Sequence, residues 1–555
     1  MSHHGSAPSH KTSALKTWLD EAVAHHQAGR LQQAEQLYRQ ILAADPDQAD
    51  AWHYLGLLAY RAGQLDKAIE LLSMAIQKVA KNALYHFNLG VVFQKGGRLG
   101  EAVESYRRAL TISPGHVEAH SNLGNALKEQ GKLGQAIASY QKALSLNPNY
   151  VEAHNNLGVA LKEQGRVDEA VAAYERALRL KPNHVEAHCN LGIALKEQSK
   201  LEAATASFEQ ALSLKPDYVK AHHNLGLAFL WQQQFDRALT SLRRSADLQH
   251  NHGRPVNEAS IHKSRIKHDA EQIQYLLDRG VLARDRLTYS DSLKRLRQQC
   301  TQEARSSTRL TIDNAALQQI APSFNRILHY AESPALPQGA LNQYLDVETI
   351  EARYHASRPE IMHIDDLLNE EALQSLRLFC LESTIWKKDY ENGYIGAFLA
   401  EGFSSPLLLQ IAEELRVRFP GIFKQHLLTQ AWAFKYDSEL TGLNIHADAA
   451  AVNVNFWITP DDANLDPSRG GLVVWDKEAP QEWDFKEYNN KRNEPMIREF
   501  LRSRGANAVA IPYRQNRAVV FNSDLFHETD RLAFKDEYVN RRINITLLYG
   551  YRFAS

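Results

Sequence analysis

An internal repeat of 34 residues constrains this chain more than any other feature of its sequence. Residues 117–150 and 151–184 are nearly identical, and the same period extends in both directions. Seven windows result, which begin at residues 15, 49, 83, 117, 151, 185 and 219 and end at residue 252. A unit repeated at this length stacks on its neighbours, because one unit alone cannot bury its apolar face.

Small and rigid residues recur at fixed positions of this unit. Glycine is expected where two helices approach closely, and proline stops the second helix because it lacks the amide hydrogen. The period and these positions match the tetratricopeptide signature. We therefore predict an all-α tetratricopeptide solenoid over residues 15–252. The recurrent glycines are Gly56, Gly90, Gly124, Gly158, Gly192 and Gly226.

An asparagine occupies the sixth position of five repeats, on the groove-facing side of the first helix in proteins of this type. The repeats resemble those of the O-linked N-acetylglucosamine transferases, whose asparagine ladder binds extended polypeptides. An amide both donates and accepts hydrogen bonds, so it can pair with any peptide unit. The resemblance implies a peptide-binding groove; the alternative is that asparagine only suits the packing of these repeats. The residues are Asn88, Asn122, Asn156, Asn190 and Asn224.

Five histidines recur with the same period but do not suggest a metal site. Equivalent positions lie two helices apart, and neighbouring helices pack about 8–10 Å apart, too far for one ion to join them. Trp18 and Trp52 fill the same position in the first two repeats. We therefore interpret the histidines as packing residues, namely His86, His120, His154, His188 and His222.

Charge and composition exclude several classes of protein. The 64 lysines and arginines balance 65 aspartates and glutamates, which argues against a nucleic-acid binder or a polybasic membrane-surface protein. No run of 18 apolar residues suggests a membrane span. The three distant cysteines form no disulfide framework, and residues 1–14, predicted to be disordered, contain no apolar signal segment. A cytoplasmic protein without membrane or nucleic-acid partners is expected.

The pattern of predicted secondary structure changes at two points after the repeats. Residues 253–354 contain charged amphipathic segments, which we interpret as a helical cap on the solenoid followed by a connector. Residues 355–555 contain helices followed by short strands and turns, a pattern that favours an α+β barrel or sandwich over a doubly wound sheet. The predicted strands cover 427–436, 451–459, 470–476, 507–513, 517–522 and 542–551.

Two short stretches of this second half carry candidate metal ligands. His446 and Asp448 are two residues apart, so an extended chain would direct both side chains to one face. His527 follows further along the chain, after a predicted strand. Two histidines and one carboxylate form the facial triad of non-haem ferrous iron. No catalytic residue beyond this metal site is predicted.

The context of these residues resembles the 2-oxoglutarate- and Fe(II)-dependent dioxygenases, especially the prolyl 4-hydroxylase-like branch. The resemblance covers about 355–555 and rests on Asp365-Asp366 before a helix, Tyr436 before the triad, Gly470-Gly471 in a central strand, and Val519-Val520-Phe521 leading to His527. The layout also resembles the C-terminal part of bacterial tetratricopeptide oxygenases. The resemblance to the dioxygenases implies a double-stranded β-helix, or jelly-roll, and a requirement for Fe(II), 2-oxoglutarate and O2.

This resemblance also implies a basic residue that binds the far carboxylate of 2-oxoglutarate. Arginine suits this task because its planar fork binds a carboxylate with two hydrogen bonds. Arg541 and Arg542 are both candidates, and strand alternation places Arg542 with the polar residues Asn544 and Thr546. We therefore favour Arg542, assisted by Tyr436 and by Asn544, which stands where the family often has serine. Arg541 stays the alternative.

Together these features predict a multidomain dioxygenase that hydroxylates a protein or peptide bound in the repeat groove. Two alternatives stay open. The chain could be a repeat-based interaction adaptor whose oxygenase-like domain is inactive, or an oxygenase of a small metabolite whose repeats serve only assembly.

Overall fold

The computed structural model describes residues 8–252, 260–302, 307–390, 393–423, 426–440, 445–480, 483, 489 and 493–550. The chain divides into two compact units, Met1–Leu214 and Lys215–Ser555. The division falls between the sixth and the seventh repeat, so the last repeat belongs to the same unit as the C-terminal region.

The first half of the chain is an all-α solenoid of fourteen helices in consecutive pairs. The first helix begins at Pro8, so residues 8–14 are helical, where the sequence suggests a disordered N-terminus. Proline is well tolerated in the first turn of a helix, where its missing amide hydrogen has no partner. The helices are α1 Pro8–Gln27, α2 Leu31–Ala44, α3 Ala49–Arg61, α4 Leu65–Lys78, α5 Ala83–Lys95, α6 Leu99–Ile112, α7 Val117–Glu129, α8 Leu133–Leu146, α9 Val151–Glu163, α10 Val167–Leu180, α11 Val185–Glu197, α12 Leu201–Leu214, α13 Val219–Trp231 and α14 Phe235–His250.

The recurrent glycines allow the two helices of a repeat to approach. A Cβ atom added to Gly124 would lie 2.6 Å from the buried ring of Tyr140, a residue of the second helix of the same repeat. Gly158 and Tyr174 repeat this contact at the same distance. A side chain at either glycine would push the helices apart.

The recurrent histidines join each first helix to the turn before it. His120 Nε2 lies 3.0 Å from the carbonyl oxygen of Pro114, and His154 Nε2 lies 2.9 Å from that of Pro148. In the second repeat the indole of Trp52 donates the same bond to a residue six positions earlier, at 2.9 Å. The histidines therefore replace tryptophan in a packing position.

The C-terminal region contains mainly antiparallel strands and further helices. The helices are α15 Lys263–Asp278, α16 Leu287–Gln302, α17 Asn314–Ile320, α18 Val347–Ala356, α19 Glu370–Glu382, α20 Pro406–Arg418, α21 Pro420–Phe423 and α22 Glu494–Ser503. The strands are β1 Ser260–His262, β2 Arg309–Thr311, β3 Ile361–Ile364, β4 Lys388–Asp389, β5 Tyr394–Phe398, β6 Leu428–Tyr436, β7 Glu439–Leu440, β8 Val452–Trp457, β9 Leu472–Glu478, β10 Ala508–Ile511, β11 Ala518–Asn522, β12 Leu525–Thr529, β13 Leu532–Ala533 and β14 Ile543–Tyr549.

Two sheets form the centre of this region. Within the described residues, the larger sheet has the order β3-β11-β8-β14-β6-β5-β4 and the smaller has the order β10-β9-β12. A bridge between His446 and His527 extends the smaller sheet beyond β12, and β7 pairs with β13. An apolar core lies between the two sheets, with contributions from β8, β9, β11 and β12.

The strand register determines which side chains share the inner face of the larger sheet. Asn544 of β14 lies between Phe434 of β6 and Trp457 of β8, and Thr546 pairs with Asn455 in the next row. Both faces of β14 are buried. The inner face therefore combines aromatic and polar residues in an enclosed space.

Helix α15 packs against the C-terminal region, which differs from the predicted cap on the solenoid. Lys267 of α15 donates to Asp437 at 2.7 Å, and Gln272 donates to the carbonyl oxygens of Leu381 and Ser383. Its partners are polar groups at the ends of α19 and β6. The sequence shows an amphipathic helix here but does not identify the surface that the helix covers.

The seventh repeat instead contacts segments from further along the chain. The indole of Trp231 donates to the carbonyl oxygen of Leu428 at the start of β6, at 2.7 Å. Gln249 of α14 donates to Glu401 at 3.1 Å, and α14 also packs against α20. None of the helices in the described part of the chain has both the length and the apolar composition needed to cross a bilayer.

Candidate metal centre

Three predicted ligands lie together between the two sheets. One ligand atom each from His446, Asp448 and His527 lies within 4.8 Å of the others. The two imidazole rings have centroids 4.3 Å apart, and His527 Nε2 lies 3.4 Å from an oxygen of Asp448. Asp448 and His527 are buried, whereas His446 is partly exposed. The arrangement can bind one metal ion and leaves one side accessible.

Backbone pairing sets the distance between the two histidines. The amide of His446 donates to the carbonyl oxygen of His527 at 3.0 Å, and the reverse bond measures 2.8 Å. His527 lies within β12, whereas the sequence suggests only that it follows a strand. Its Nδ1 lies 3.1 Å from the carbonyl oxygen of Leu525. If Nδ1 carries the proton, this bond leaves Nε2 as the lone-pair donor for a metal.

Asp448 is held by polar neighbours and lies beside the imidazole of His527. Asn453 donates to Asp448 Oδ2 at 2.7 Å, and the Asp448 amide donates to the carbonyl oxygen of Ser523 at 3.1 Å. Burial alone would raise the pKa of this carboxyl group, but the hydrogen bond and charge of His527, the charge of His446 and the Asn453 bond hold it below its ordinary value. The carboxylate is therefore favoured over the neutral acid.

Arg542 lies on the inner face with one unused donor. Only 1% of its surface is exposed, its Nε donates to the carbonyl oxygen of Gly470 at 2.7 Å, and its Nη2 donates to that of Gly471 at 3.2 Å. Its Nη1 is buried without a hydrogen-bond partner. Burial lowers the pKa of this guanidinium, since the interior disfavours its charge. An anion beside Nη1 would compensate for that cost.

Arg541 has a different environment. Its guanidinium lies 2.6 Å from Glu271 of α15 and 3.3 Å from Asp437, so two carboxylates already surround it. The two neighbouring arginines therefore point to opposite faces of the sheet, as strand alternation predicts. Arg542, rather than Arg541, is available to a ligand between the sheets.

Two glycines that directly precede β9 position Arg542. Gly470 has a φ of +81°, and a Cβ added to Gly471 would lie 1.8 Å from the carbonyl oxygen of Ile511. No larger residue fits at Gly471, because the obstacle is backbone. The sequence shows two adjacent glycines here but does not reveal that their carbonyl oxygens accept hydrogen bonds from Arg542.

A polar network extends from Asp448 to two residues of β14. Asn455 donates to Asn453 at 2.6 Å, and Asn544 and Thr546 both donate to Asn455 Oδ1, at 2.8 and 2.9 Å. Asn544 Oδ1 is buried without a hydrogen-bond partner. The predicted site residue Asn544 therefore belongs to the network that begins at the candidate metal ligand Asp448.

Aromatic rings enclose the arginine. The ring centroid of Tyr436 lies 4.7 Å from the Arg542 guanidinium carbon, and the Trp457 ring lies 5.5 Å from it. The Tyr436 hydroxyl is 3.4 Å from Thr529 Oγ1, and the Trp457 indole nitrogen is buried without a hydrogen-bond partner. A second unused donor thus lies beside Arg542, at a position that the sequence indicates only weakly.

The predicted peptide-binding asparagines have internal partners. Asn88 Nδ2 lies 2.7 Å from His53 Nε2, Asn156 donates to Asn125 at 3.1 Å, and Asn190 donates to Asn155 at 3.0 Å. Asn224 donates to a backbone carbonyl of its own helix. Asn190 and Asn224 are each only 9% exposed, whereas Asn88, Asn122 and Asn156 are partly exposed. Peptide binding by these residues stays a prediction.

Two family models match the N-terminal part of the chain. The model described as "TPR repeat" matches residues 93–131, 124–165, 160–199 and 194–233, and the model described as "Tetratricopeptide repeat" matches residues 25–88. The N-terminal part of the chain therefore consists of tetratricopeptide repeats, which indicate a role in protein interaction.

Solved structures with the same repeats are similar to part of the chain. A tetratricopeptide repeat protein from Parabacteroides merdae is 18% identical over 43% of this chain and 94% of its own, with a TM-score of 0.37. PilF of Pseudomonas aeruginosa is 21% identical over 38% and 96%, with a TM-score of 0.35. YrrB, described as a TPR protein with an unusual peptide-binding site, is 23% identical over 33% and 93%, with a TM-score of 0.29. No curated protein matches the chain.

Proposed function

We propose that the C-terminal region is an Fe(II)- and 2-oxoglutarate-dependent dioxygenase that hydroxylates a protein or peptide recruited by the repeats. The observation that carries this proposal is the cluster of His446, Asp448 and His527, together with the buried guanidinium of Arg542, whose Nη1 has no hydrogen-bond partner. One site could bind the metal ion, and the other could bind the far carboxylate of the cosubstrate.

The strand order supports a double-stranded β-helix. In such a fold two sheets of four strands face each other, and most consecutive strands alternate between them. Here β6, β8, β11 and β14 lie in one sheet, while β9, β10, β12 and the segment at His446 lie in the other. His446 and His527 lie on the smaller sheet, and Arg542 directly precedes β14 of the larger one.

The donor set fits ferrous iron. Two imidazoles and one carboxylate are the ligands of the facial triad, which leaves further coordination positions open. With 2-oxoglutarate and O2, such an iron supplies an oxidant strong enough to hydroxylate a C–H bond. His446, Asp448 and His527 would hold the ion, and Asn453 would keep the carboxylate of Asp448 oriented.

Arg542 fits a dicarboxylate. A buried guanidinium without a carboxylate partner is costly, and a bound carboxylate would offset the cost. The Trp457 indole offers a second donor in the same enclosed space. Tyr436 and Trp457 would exclude water from this end of the site and strengthen the pairing there.

The repeats support a macromolecular substrate. Seven stacked repeats are difficult to explain if only a small metabolite must reach the metal centre. The bond from Trp231 to Leu428 joins the last repeat to the start of β6, a strand that lines the site. The internal partners of Asn190 and Asn224, however, favour a structural role for part of the ladder, and they keep an oxygenase of a small metabolite as the second candidate.

Metal binding and turnover test this proposal together. The purified chain should bind Fe(II), consume 2-oxoglutarate and add one oxygen atom to a protein in a lysate, detected by mass spectrometry. A His446→Ala, His527→Ala double variant is the control and should do none of these. Metal binding without 2-oxoglutarate consumption would instead favour an interaction adaptor with an inactive domain. Oxidation of a metabolite, but of no protein, would favour the second candidate.

A further inference from the structure

Ala447 separates two of the three candidate metal ligands, and its backbone needs partners. His446 pairs with His527 of β12, so in an extended segment the amide and carbonyl of the next residue point away from β12. Ala447 is completely buried. Unpaired backbone groups at this buried position would destabilise the fold, because they would lose their hydrogen bonds to water.

A single asparagine satisfies both groups. The Ala447 amide donates to Asn489 Oδ1 at 3.3 Å, and Asn489 Nδ2 donates to the Ala447 carbonyl oxygen at 2.8 Å. A primary amide is the side chain that offers a donor and an acceptor in the arrangement of a peptide unit. Among the described residues, Asn489 thus takes the place of a neighbouring strand at this edge of the smaller sheet.

The helix that follows Asn489 also supports the ligand segment. Ile497 and Leu501 of α22 form one buried apolar cluster with Phe526, Ile445 and Ala447. Phe526 directly precedes the third ligand in the sequence. The segment between β9 and β10 therefore contacts residues adjacent to all three candidate ligands.

We infer that Asn489 is a positioning residue of the metal centre. Its two bonds fix the backbone between His446 and Asp448, and thereby the relative position of the imidazole and the carboxylate. Residues that orient metal ligands through hydrogen bonds typically contribute 10- to 100-fold to metal affinity. This inference rests on the proposed function, because it requires that the triad binds a metal.

Co(II) binding to the full-length protein tests the inference. Asn489→Ala is expected to weaken the affinity for Co(II) by about 10- to 100-fold and to change the visible absorption spectrum of the bound ion, which reports ligand geometry. Asn507→Ala is the matched control. Asn507 lies at the other end of the same segment and bonds to Asp476 at 2.9 Å, away from the ligands. This control should retain the affinity and spectrum of the wild type.

The outcomes separate the two proposals. Wild-type affinity and spectrum in Asn489→Ala would overturn the role of Asn489 and leave the metal centre intact. If the wild type binds no Co(II), the metal centre and this inference are both wrong. If Asn489→Ala does not fold, Asn489→Ser takes its place, with the same expected changes in Co(II) affinity and absorption spectrum. The serine side chain is too short to reach both backbone groups of Ala447.

Discussion

Replacement of Arg542 by lysine tests the cosubstrate site most directly. The substitution keeps a positive charge but removes the planar fork. In the structure Nε and Nη2 are committed to the carbonyl oxygens of Gly470 and Gly471, and Nη1 is the donor left for a ligand. The shorter lysine, with one nitrogen, cannot keep both carbonyl bonds and still reach the position of Nη1.

The expected loss is one hydrogen bond to a charged group. Such a bond contributes about 1.5–3 kcal/mol. At about 1.4 kcal/mol per factor of ten, Arg542→Lys should raise the dissociation constant for 2-oxoglutarate roughly 10- to 150-fold. Metal affinity should change little, because Arg542 touches none of the three ligands.

Calorimetric titration of 2-oxoglutarate into the Mn(II)-loaded protein measures this effect. Arg541→Lys is the matched control, since Arg541 pairs with Glu271 and Asp437 on the opposite face. It should bind 2-oxoglutarate within about twofold of the wild type. Equal binding by Arg542→Lys and the wild type would refute the assignment, and a loss confined to Arg541→Lys would show that the other face holds the cosubstrate.

Three further predictions concern the fold and the groove. Gly471→Ala should destabilise the C-terminal region by about 3 kcal/mol or more, because the added Cβ would overlap a backbone carbonyl oxygen. Gly134→Ala is the control on the exposed side of α8, where nothing lies within 4 Å, and it should stabilise the chain by about 0.5 kcal/mol. Chemical denaturation measures both free energies of unfolding. Burial lowers the pKa of Lys196 to about 8 from 10.5. The unfolded chain therefore binds more protons between these values, stability rises with pH there, and Lys196→Met should make that rise shallower in thermal unfolding followed against pH. Joint replacement of Asn122, Asn156 and Asn190 by alanine should reduce hydroxylation of the protein substrate but leave uncoupled consumption of 2-oxoglutarate intact. Hydroxylation at the wild-type rate would exclude the groove as the substrate site.

Periodic features of the sequence predict the structure well. The 34-residue period predicts the helix pairs. The two-residue alternation of the segment that leads into β14 predicts that Arg541 and Arg542 point to opposite faces. Both are local rules that follow from helix and strand geometry. The prediction that His446, Asp448 and His527 lie close together rests on the resemblance to the dioxygenases. Local rules cannot give it for His527, because a long stretch of chain separates this residue from the other two.

Contacts between distant segments could not be predicted from the sequence. Asn489 belongs to no periodic pattern, and only the structure shows that its amide pairs with Ala447. The same holds for α15, whose charged face gives no sign that Glu271 pairs with Arg541. The partner of one isolated polar residue cannot be predicted from the sequence, because the fold alone brings the two residues together.

The bond from Trp231 to Leu428 has a consequence for how such a chain can evolve. It makes the seventh repeat part of the C-terminal unit, whereas residues 117–150 and 151–184 are nearly interchangeable copies. Unequal recombination between these copies would add or remove whole repeats in register. The seventh repeat and its contacts to the strands would be inherited unchanged. We therefore expect related chains to differ in the number of repeats before the seventh and to retain the contact between Trp231 and Leu428.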